Sequence, residues 1–279
     1  MSFQPVLPAS GIAGWRFLER TIETQQENFA RSPAVQRDTE YFREQIGGID
    51  TASELVADRR ILKVALGAFG LEEDINYGAF LRQVLEDGTI DPKALANRLS
   101  DKRYLQFAQA FGFGDNAIPP SQEPGFGDRI AQAYIDRQFE VAVGKQDETM
   151  RLALNLRREL PELAQSDASP RAKWFSVMGS PPLRKAFETA YSLPQSFGSI
   201  NLDQQLDVLR DRSRRAFQDT EVAQFADPDR LDELVRRFTL RAQMHATPAA
   251  GHDAGSVALQ LLQPAGSRPG AGILGLMSG

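Results

Sequence analysis

Residues 61–71 read ILKVALGAFGL and are echoed 122 residues later by residues 183–193, which read LRKAFETAYSL. In both segments the apolar residues recur at steps of three and four, the spacing of one face of an α-helix. The same offset places Leu55 over Val177, and a fainter echo at a similar offset places Leu105 over Leu231. Weak self-similarity at a fixed spacing predicts two related helical modules.

The sequence around these two segments continues the same rhythm of apolar helical spacing and polar caps. Asp58, Asp91 and Asp227 each stand where a periodic stretch begins, and an aspartate carboxylate there satisfies free backbone N–H groups. The strict apolar–polar alternation of a half-buried strand is scarce. The pattern therefore predicts an all-α fold.

The chain divides into a helical body and a tail of different composition. We expect the body to cover residues 1–246, with weakly related modules at about 32–115 and 169–246. A long helix over about 128–164 is predicted to link them, and Gly144 is its weak point, where a kink or break is plausible. Residues 247–279 hold seven glycines and three prolines, so we predict a flexible, disordered tail.

Composition excludes several classes of protein. The chain has no cysteine, which rules out disulfides, thiolate catalysis and cysteine-ligated metals. No apolar run approaches the roughly 20 residues that span a bilayer, so membrane insertion is not expected. The first residues lack the basic and apolar regions of a signal peptide, which makes the cytoplasm the expected compartment.

The charge balance argues against nucleic acid as a partner. A net charge of -5 does not provide the basic face that displaces phosphate counterions. One local cluster is basic, and its simplest interpretation is a solvated helix face. The alternative for this cluster is that the protein is a regulator that binds nucleic acid. The cluster comprises Arg210, Arg212, Arg214 and Arg215.

No motif in the sequence points to catalysis. The two histidines, His245 and His252, do not have the i, i+4 spacing of a helical zinc site, and His245 is better explained as a helix C-terminal residue. Neither a glycine-rich phosphate loop nor a nucleophile elbow is present. We therefore predict no catalytic, cofactor-binding or metal-binding residues.

The richest mixture of polar and apolar residues lies in residues 134–144. Asp136 and Glu140 stand one helical turn apart with Arg137 beside Asp136. We favour an ion-paired helix face, and the alternative is a contact surface between the modules or with a partner. Two apolar islands in the tail extend the candidate partner surface, which then comprises Asp136, Arg137, Glu140, Leu259, Leu262 and Leu276.

Several segments together resemble one bacterial family, known as domain of unknown function 1217. The resemblance spans nearly the whole chain up to about residue 246. The segments that carry it are 10–18 (SGIAGWRFL), 58–60 (DRR), 68–71 (AFGL), 96–104 (ANRLSDKRY), 134–140 (YIDRQFE), 151–155 (RLALN) and 203–206 (DQQL).

The resemblance implies a helical protein of alphaproteobacteria whose gene often stands among flagellar genes. It implies no known activity, ligand or active-site residue. We therefore expect a non-enzymatic interaction or structural protein, with protein partners, in flagellar assembly or its regulation. Its place would be the cytoplasm, or the flagellum after export. The alternative is an enzyme that uses carboxylates in a cleft between the modules, which would require a pocket with converging carboxylates of perturbed pKa.

Overall fold

The computed structural model describes residues 3–246, and this part of the chain contains helices and no β-strand. The prediction of an all-α fold is confirmed. Five short 3-10 helices join the longer ones, at Ile46–Gly48, Glu72–Asp74, Pro120–Gln122, Gln195–Ser199 and Val222–Ala226. The α-helices are α1 (Gly11–Ala30), α2 (Pro33–Gln45), α3 (Ala52–Ala57), α4 (Arg59–Phe69), α5 (Gly78–Glu86), α6 (Leu95–Arg98), α7 (Arg103–Phe111), α8 (Phe126–Gly144), α9 (Glu148–Gln165), α10 (Pro170–Gly179), α11 (Pro181–Ala190), α12 (Leu202–Phe217) and α13 (Pro228–Ala246).

Side-chain caps explain why short helices follow one another so closely. Asp58 ends α3 and begins α4, and its carboxylate accepts hydrogen bonds from the backbone N–H groups of Arg60 (2.8 Å) and Ile61 (3.1 Å). Thr51 and Glu54 form a reciprocal capping box at the start of α3. Gly70 ends α4 in the left-handed conformation, with φ of 70°, which glycine adopts without steric cost.

The linking segment predicted over residues 128–164 is helical but not one continuous helix, because it folds into the antiparallel hairpin α8–α9. The break follows Gly144, the position that the sequence marks as weak. The Asp147 carboxylate caps α9 by accepting from the N–H groups of Thr149 (2.9 Å) and Met150 (3.2 Å). A Cβ on Gly144 would lie 2.5 Å from the Arg151 side chain, so a larger residue at this position would displace that side chain.

The two echoed segments pack against the two arms of this hairpin. Helix α4 lies along α8, and α11 lies along α9. The approach of α4 to α8 is close, since a Cβ on Gly67 would lie 2.7 Å from the Tyr134 ring. In each module one residue, Asp58 or Ser180, both ends a helix and begins the echoed one. Internal duplication and the module boundaries stay predictions, which superposition of 32–115 on 169–246 would test.

Most buried apolar side chains from both modules and the hairpin belong to one continuous core. Residues 3–243 belong to one compact unit. The predicted disordered tail, 247–279, lies outside the described residues. Among residues 3–246, no helix is both long enough and apolar enough to cross a membrane.

Candidate functional site

Charged side chains from the hairpin meet in the interior of the protein. We call Arg137, Glu140, Arg158 and Glu159 the junction cluster. Arg158 contacts Glu140 with both ends of its guanidinium, Nε to Oε1 at 2.7 Å and Nη2 to Oε2 at 3.0 Å. Arg137 Nη2 lies 2.6 Å from Glu159 Oε1, and Arg158 Nη2 lies 3.4 Å from the same oxygen. Two positive and two negative charges thus neutralise one another.

The junction cluster also connects the hairpin to both modules. In the first module, a Cβ on Gly70 would lie 3.0 Å from Arg137 Nη1, and Arg103 donates a hydrogen bond to the Gly70 carbonyl. In the second module, the Ser180 hydroxyl donates to Glu159 Oε2 at 3.2 Å. Four segments that carry the sequence resemblance or the echo therefore meet at the junction cluster. They are the turn after α4, the start of α7, α8 and the start of α11.

Burial and pairing act against each other on the ionisation of these groups. Burial raises the pKa of Glu140 although the bond from Arg158 acts to lower it. Burial also acts to raise the pKa of Glu159, but Arg137 and Arg158 overcome it and hold that pKa below its ordinary value. Burial lowers the pKa of Arg137. Because every member has a partner, the arrangement fits a structural tie between elements.

The structure corrects the proposed partner surface at residues 136–140. The side chains of Glu140 and Arg137 are only 9% and 11% exposed, so the interpretation as a surface for a partner is wrong for both. The reason is that α9 covers this face of α8. Asp136 is half-buried, and its carboxylate accepts a hydrogen bond from Gln132 at 3.0 Å. Leu259, Leu262 and Leu276 lie outside the described residues.

A cavity of about 430 Å³ opens between residues 70–74, which follow α4, and the helices α7, α9 and α11. Two contacts join polar side chains of its lining: Arg151 Nε lies 2.7 Å from a Glu148 oxygen, and the Tyr104 hydroxyl donates to Asp74 at 2.7 Å. Glu72 Oε2, also in the lining, is buried without a hydrogen-bond partner in the described part of the chain. Asp136, Arg137 and Glu140 do not line it. The carboxylates of Asp136 and Glu140 therefore do not converge in this cavity. Within residues 3–246, no group of three or more metal-ligating side chains is placed to hold a metal ion.

The arginine cluster on α12 is mostly ion-paired. Arg210 lies 3.3 Å from a Glu221 oxygen, and Arg214 and Arg215 contact the Asp211 carboxylate at 2.6 and 2.7 Å. Paired and exposed side chains of this kind fit the interpretation as a solvated helix face.

A second candidate site is a pair of loops, 87–94 and 112–119, which we call the loop pair. The Asp115 carboxylate joins them by accepting hydrogen bonds from the N–H of Thr89 (2.7 Å), the Thr89 hydroxyl (2.8 Å) and the N–H of Ile90 (3.2 Å). Asn97 anchors the first loop by donating to the carbonyl of Thr89 at 2.8 Å. On these anchored loops Ile90 is 78% exposed and Ile118 is 71% exposed.

A family model described as "Protein of unknown function (DUF1217)" matches residues 68–231, more than half of the 279-residue chain. The chain belongs to the DUF1217 family. The matched segment contains every member of the DUF1217 protein's junction cluster and the whole loop pair. The opening motif of residues 10–18 lies before it.

A solved structure has a similar fold to this DUF1217 protein. It is the crystal structure of a protein from Agrobacterium tumefaciens, determined by a structural genomics consortium, with 25% sequence identity and a TM-score of 0.71. The alignment covers 87% of this chain and 99% of the other. Comparison with curated proteins gives no match.

Proposed function

We propose that this DUF1217 protein is a non-enzymatic interaction protein that acts in bacterial flagellar assembly or its regulation, and that it binds a protein partner through the loop pair. The observation that carries the binding proposal is the exposure of Ile90 and Ile118 on loops that hydrogen bonds hold in place. The flagellar setting rests on the gene neighbourhood that the family resemblance implies.

The loop pair has the properties of a pre-organised binding surface. Burying one isoleucine side chain in a partner contributes about 1.5–3 kcal/mol. Because Asp115 and Asn97 already fix the loops, little further conformational entropy is lost when a partner binds. Single exposed apolar residues are ordinary on protein surfaces. Here two such residues lie on loops that hydrogen bonds to Asp115 hold together.

The proposed setting is the cytoplasm or, after export, the flagellum itself. Lack of cysteine is compatible with passage through a secretion channel and with the cytoplasm alike. Fractionation of cells with and without a working flagellar export apparatus separates the two locations.

We expect the double substitution Ile90→Asp and Ile118→Asp to abolish or strongly reduce swimming while leaving the fold intact. Both side chains are exposed, so their replacement should change the free energy of unfolding by less than about 0.5 kcal/mol. The matched control is Leu202→Asp, which changes a residue 56% exposed on α12 and should swim normally. Swimming and filament counts by electron microscopy are the measurements, alongside a clean deletion strain.

The outcomes separate the two parts of the proposal. Normal swimming and normal filaments in the deletion strain would contradict a flagellar role. A defective deletion strain with a fully motile double variant would contradict the loop pair as the binding surface.

Asp115→Ala should destabilise the protein by about 1–2 kcal/mol, because it removes the acceptor of three donors in the loop pair. Asp115→Asn keeps one acceptor oxygen and should cost less. Urea unfolding gives the stability, and amide hydrogen exchange at Thr89 and Ile90 reports the loops directly. Unchanged exchange in Asp115→Ala would show that Asp115 does not hold the loops together.

A further inference from the structure

Residues 3–9, which we call the strap, run back along α1 without forming helix or strand. The Ala9 carbonyl lies over Gly14, Val6 lies beside Gln25, and Phe3 lies against Phe29 near the far end of the helix. The strap is thus antiparallel to α1 and follows most of its length.

A buried amide recognises the strap through its backbone. Gln25 is only 7% exposed; its Oε1 accepts from the Val6 N–H at 2.8 Å and its Nε2 donates to the Val6 carbonyl at 3.2 Å. The Thr21 hydroxyl fixes the amide by accepting from Nε2 at 2.8 Å. Gln146 donates to the Pro5 carbonyl at 2.8 Å. A side chain that pairs with both backbone groups of one residue imitates the edge of a β-strand, a common mode of peptide recognition.

The strap lies in a groove that Gln25, Phe29 and Phe139 help to line, and this groove also selects side chains. The Phe3 ring stands edge-to-face with Phe29 at 5.4 Å between centroids and is tilted against Phe139 at 6.3 Å. Four residues later Leu7 packs against the main core, while Val6 between them is 57% exposed. The groove therefore accepts an extended segment with an aromatic residue and, four positions on, an aliphatic one.

Side chains of the rest of the protein hold the strap in place. No backbone–backbone hydrogen bond joins residues 3–9 to the rest of the described chain. Gly11, with φ of 64°, forms the turn into α1, and Ser10 before it makes no side-chain cap. Gly14 is needed for seating, since a Cβ there would lie 2.0 Å from the Ala9 carbonyl oxygen. These two positions account for the glycines of the opening motif.

We propose that this groove is a peptide-binding site for an extended aromatic segment, filled in each copy by its own strap, and that two copies of the chain exchange straps to form a dimer. A second copy is the fitting occupant because it carries the same complementary segment on the same glycine hinge. When two copies exchange identical straps, each groove keeps every contact that it makes with its own strap, and no new type of interface is needed.

Mixing two full-length variants tests the exchange. Phe3→Ala weakens its own strap and frees its groove, whereas Gly14→Ala keeps an intact strap and obstructs its own groove. Sedimentation should show each variant alone as a monomer and the mixture as a one-to-one heterodimer. Wild-type protein, incubated at high concentration, should form dimer slowly. A mixture in which both variants stay monomeric would overturn the exchange.

A peptide measurement does not depend on how Gly14→Ala folds. A labelled peptide of residues 2–10 should bind the full-length Phe3→Ala protein, detected by fluorescence anisotropy. The same peptide with Phe3→Ala should bind roughly tenfold more weakly, because it lacks the contact with two rings. Equal affinity of the two peptides, or no binding to a Phe3→Ala protein with native circular dichroism, would overturn the groove as a peptide site.

Discussion

Glu159→Ala should lower the free energy of unfolding by about 3–5 kcal/mol, because it leaves two mostly buried guanidinium groups with reduced compensation. Arg137 loses its carboxylate partner at 2.6 Å, and Arg158 loses one of two. The Ser180 hydroxyl also loses its acceptor, so the second module is affected together with the hairpin. The midpoint of urea unfolding at neutral pH gives the result.

The matched control is Glu27→Ala, which removes a carboxylate from an exposed pair with Arg31 and should change stability by about 0–1 kcal/mol. Similar losses for the two variants would contradict the structural importance of the junction cluster. A double-mutant cycle with Arg137→Ala measures the coupling itself.

The pH dependence of Glu159→Gln provides a second measurement on the same site. The pKa of Glu159 is lowered in the folded protein, so its contribution is present above its ordinary pKa and is lost as pH falls through the folded value. The raised pKa of Glu140 has the opposite sign, and that contribution is lost as pH rises through the folded value. Glu159→Gln should therefore show a smaller loss of stability than the wild type over the acidic range.

Trp174→Ala should destabilise the protein by about 3–5 kcal/mol, the cost of removing a large side chain from a fully buried position. The indole stands edge-to-face with Phe187 at 5.5 Å between centroids, and its Nε1 donates to the Thr220 carbonyl at 2.9 Å. It thus joins α10 to the echoed helix α11 and to the turn after α12. Thermal and urea unfolding are the measurements.

Trp174→Phe separates the two contributions of this residue. It keeps an aromatic ring against Phe187 but leaves the Thr220 carbonyl without its donor, so we expect a loss of about 1–2 kcal/mol. If Trp174→Phe were as damaging as Trp174→Ala, the hydrogen bond would be the main contribution of the indole.

The helical nature of the fold could be predicted because its determinants are local. The carboxylate of Asp58 and the left-handed Gly70 define the two ends of α4, and both signals can be recognised within a few residues. The hairpin was harder, since Gly144 marks a weak point in a helix but does not reveal that the chain reverses there. The reversal depends on the Asp147 cap and on contact between α8 and α9.

The burial of charges could not be predicted from the sequence. Asp136, Arg137 and Glu140 look alike on a helix face, yet only the last two lie under α9, where Arg158 and Glu159 complete the pairs. The partners are 18 and 22 residues away along the chain. Likewise, Asp115 and Thr89 each give a turn signal, but their bond spans 26 residues and exists only in the folded protein.

The junction cluster has a consequence for how the chain behaves when it opens. Each arm of the hairpin supplies one arginine and one glutamate, and both of these ion pairs join one arm to the other, so the charged groups of either arm lose their partners when the arms separate. Peeling away one half would expose the unpaired charges of the remainder. Local fluctuations that separate the two arms therefore have a high free energy. We expect the chain to lose its native structure as a single cooperative unit. A fragment cut between α8 and α9 would not inherit the stability of the whole.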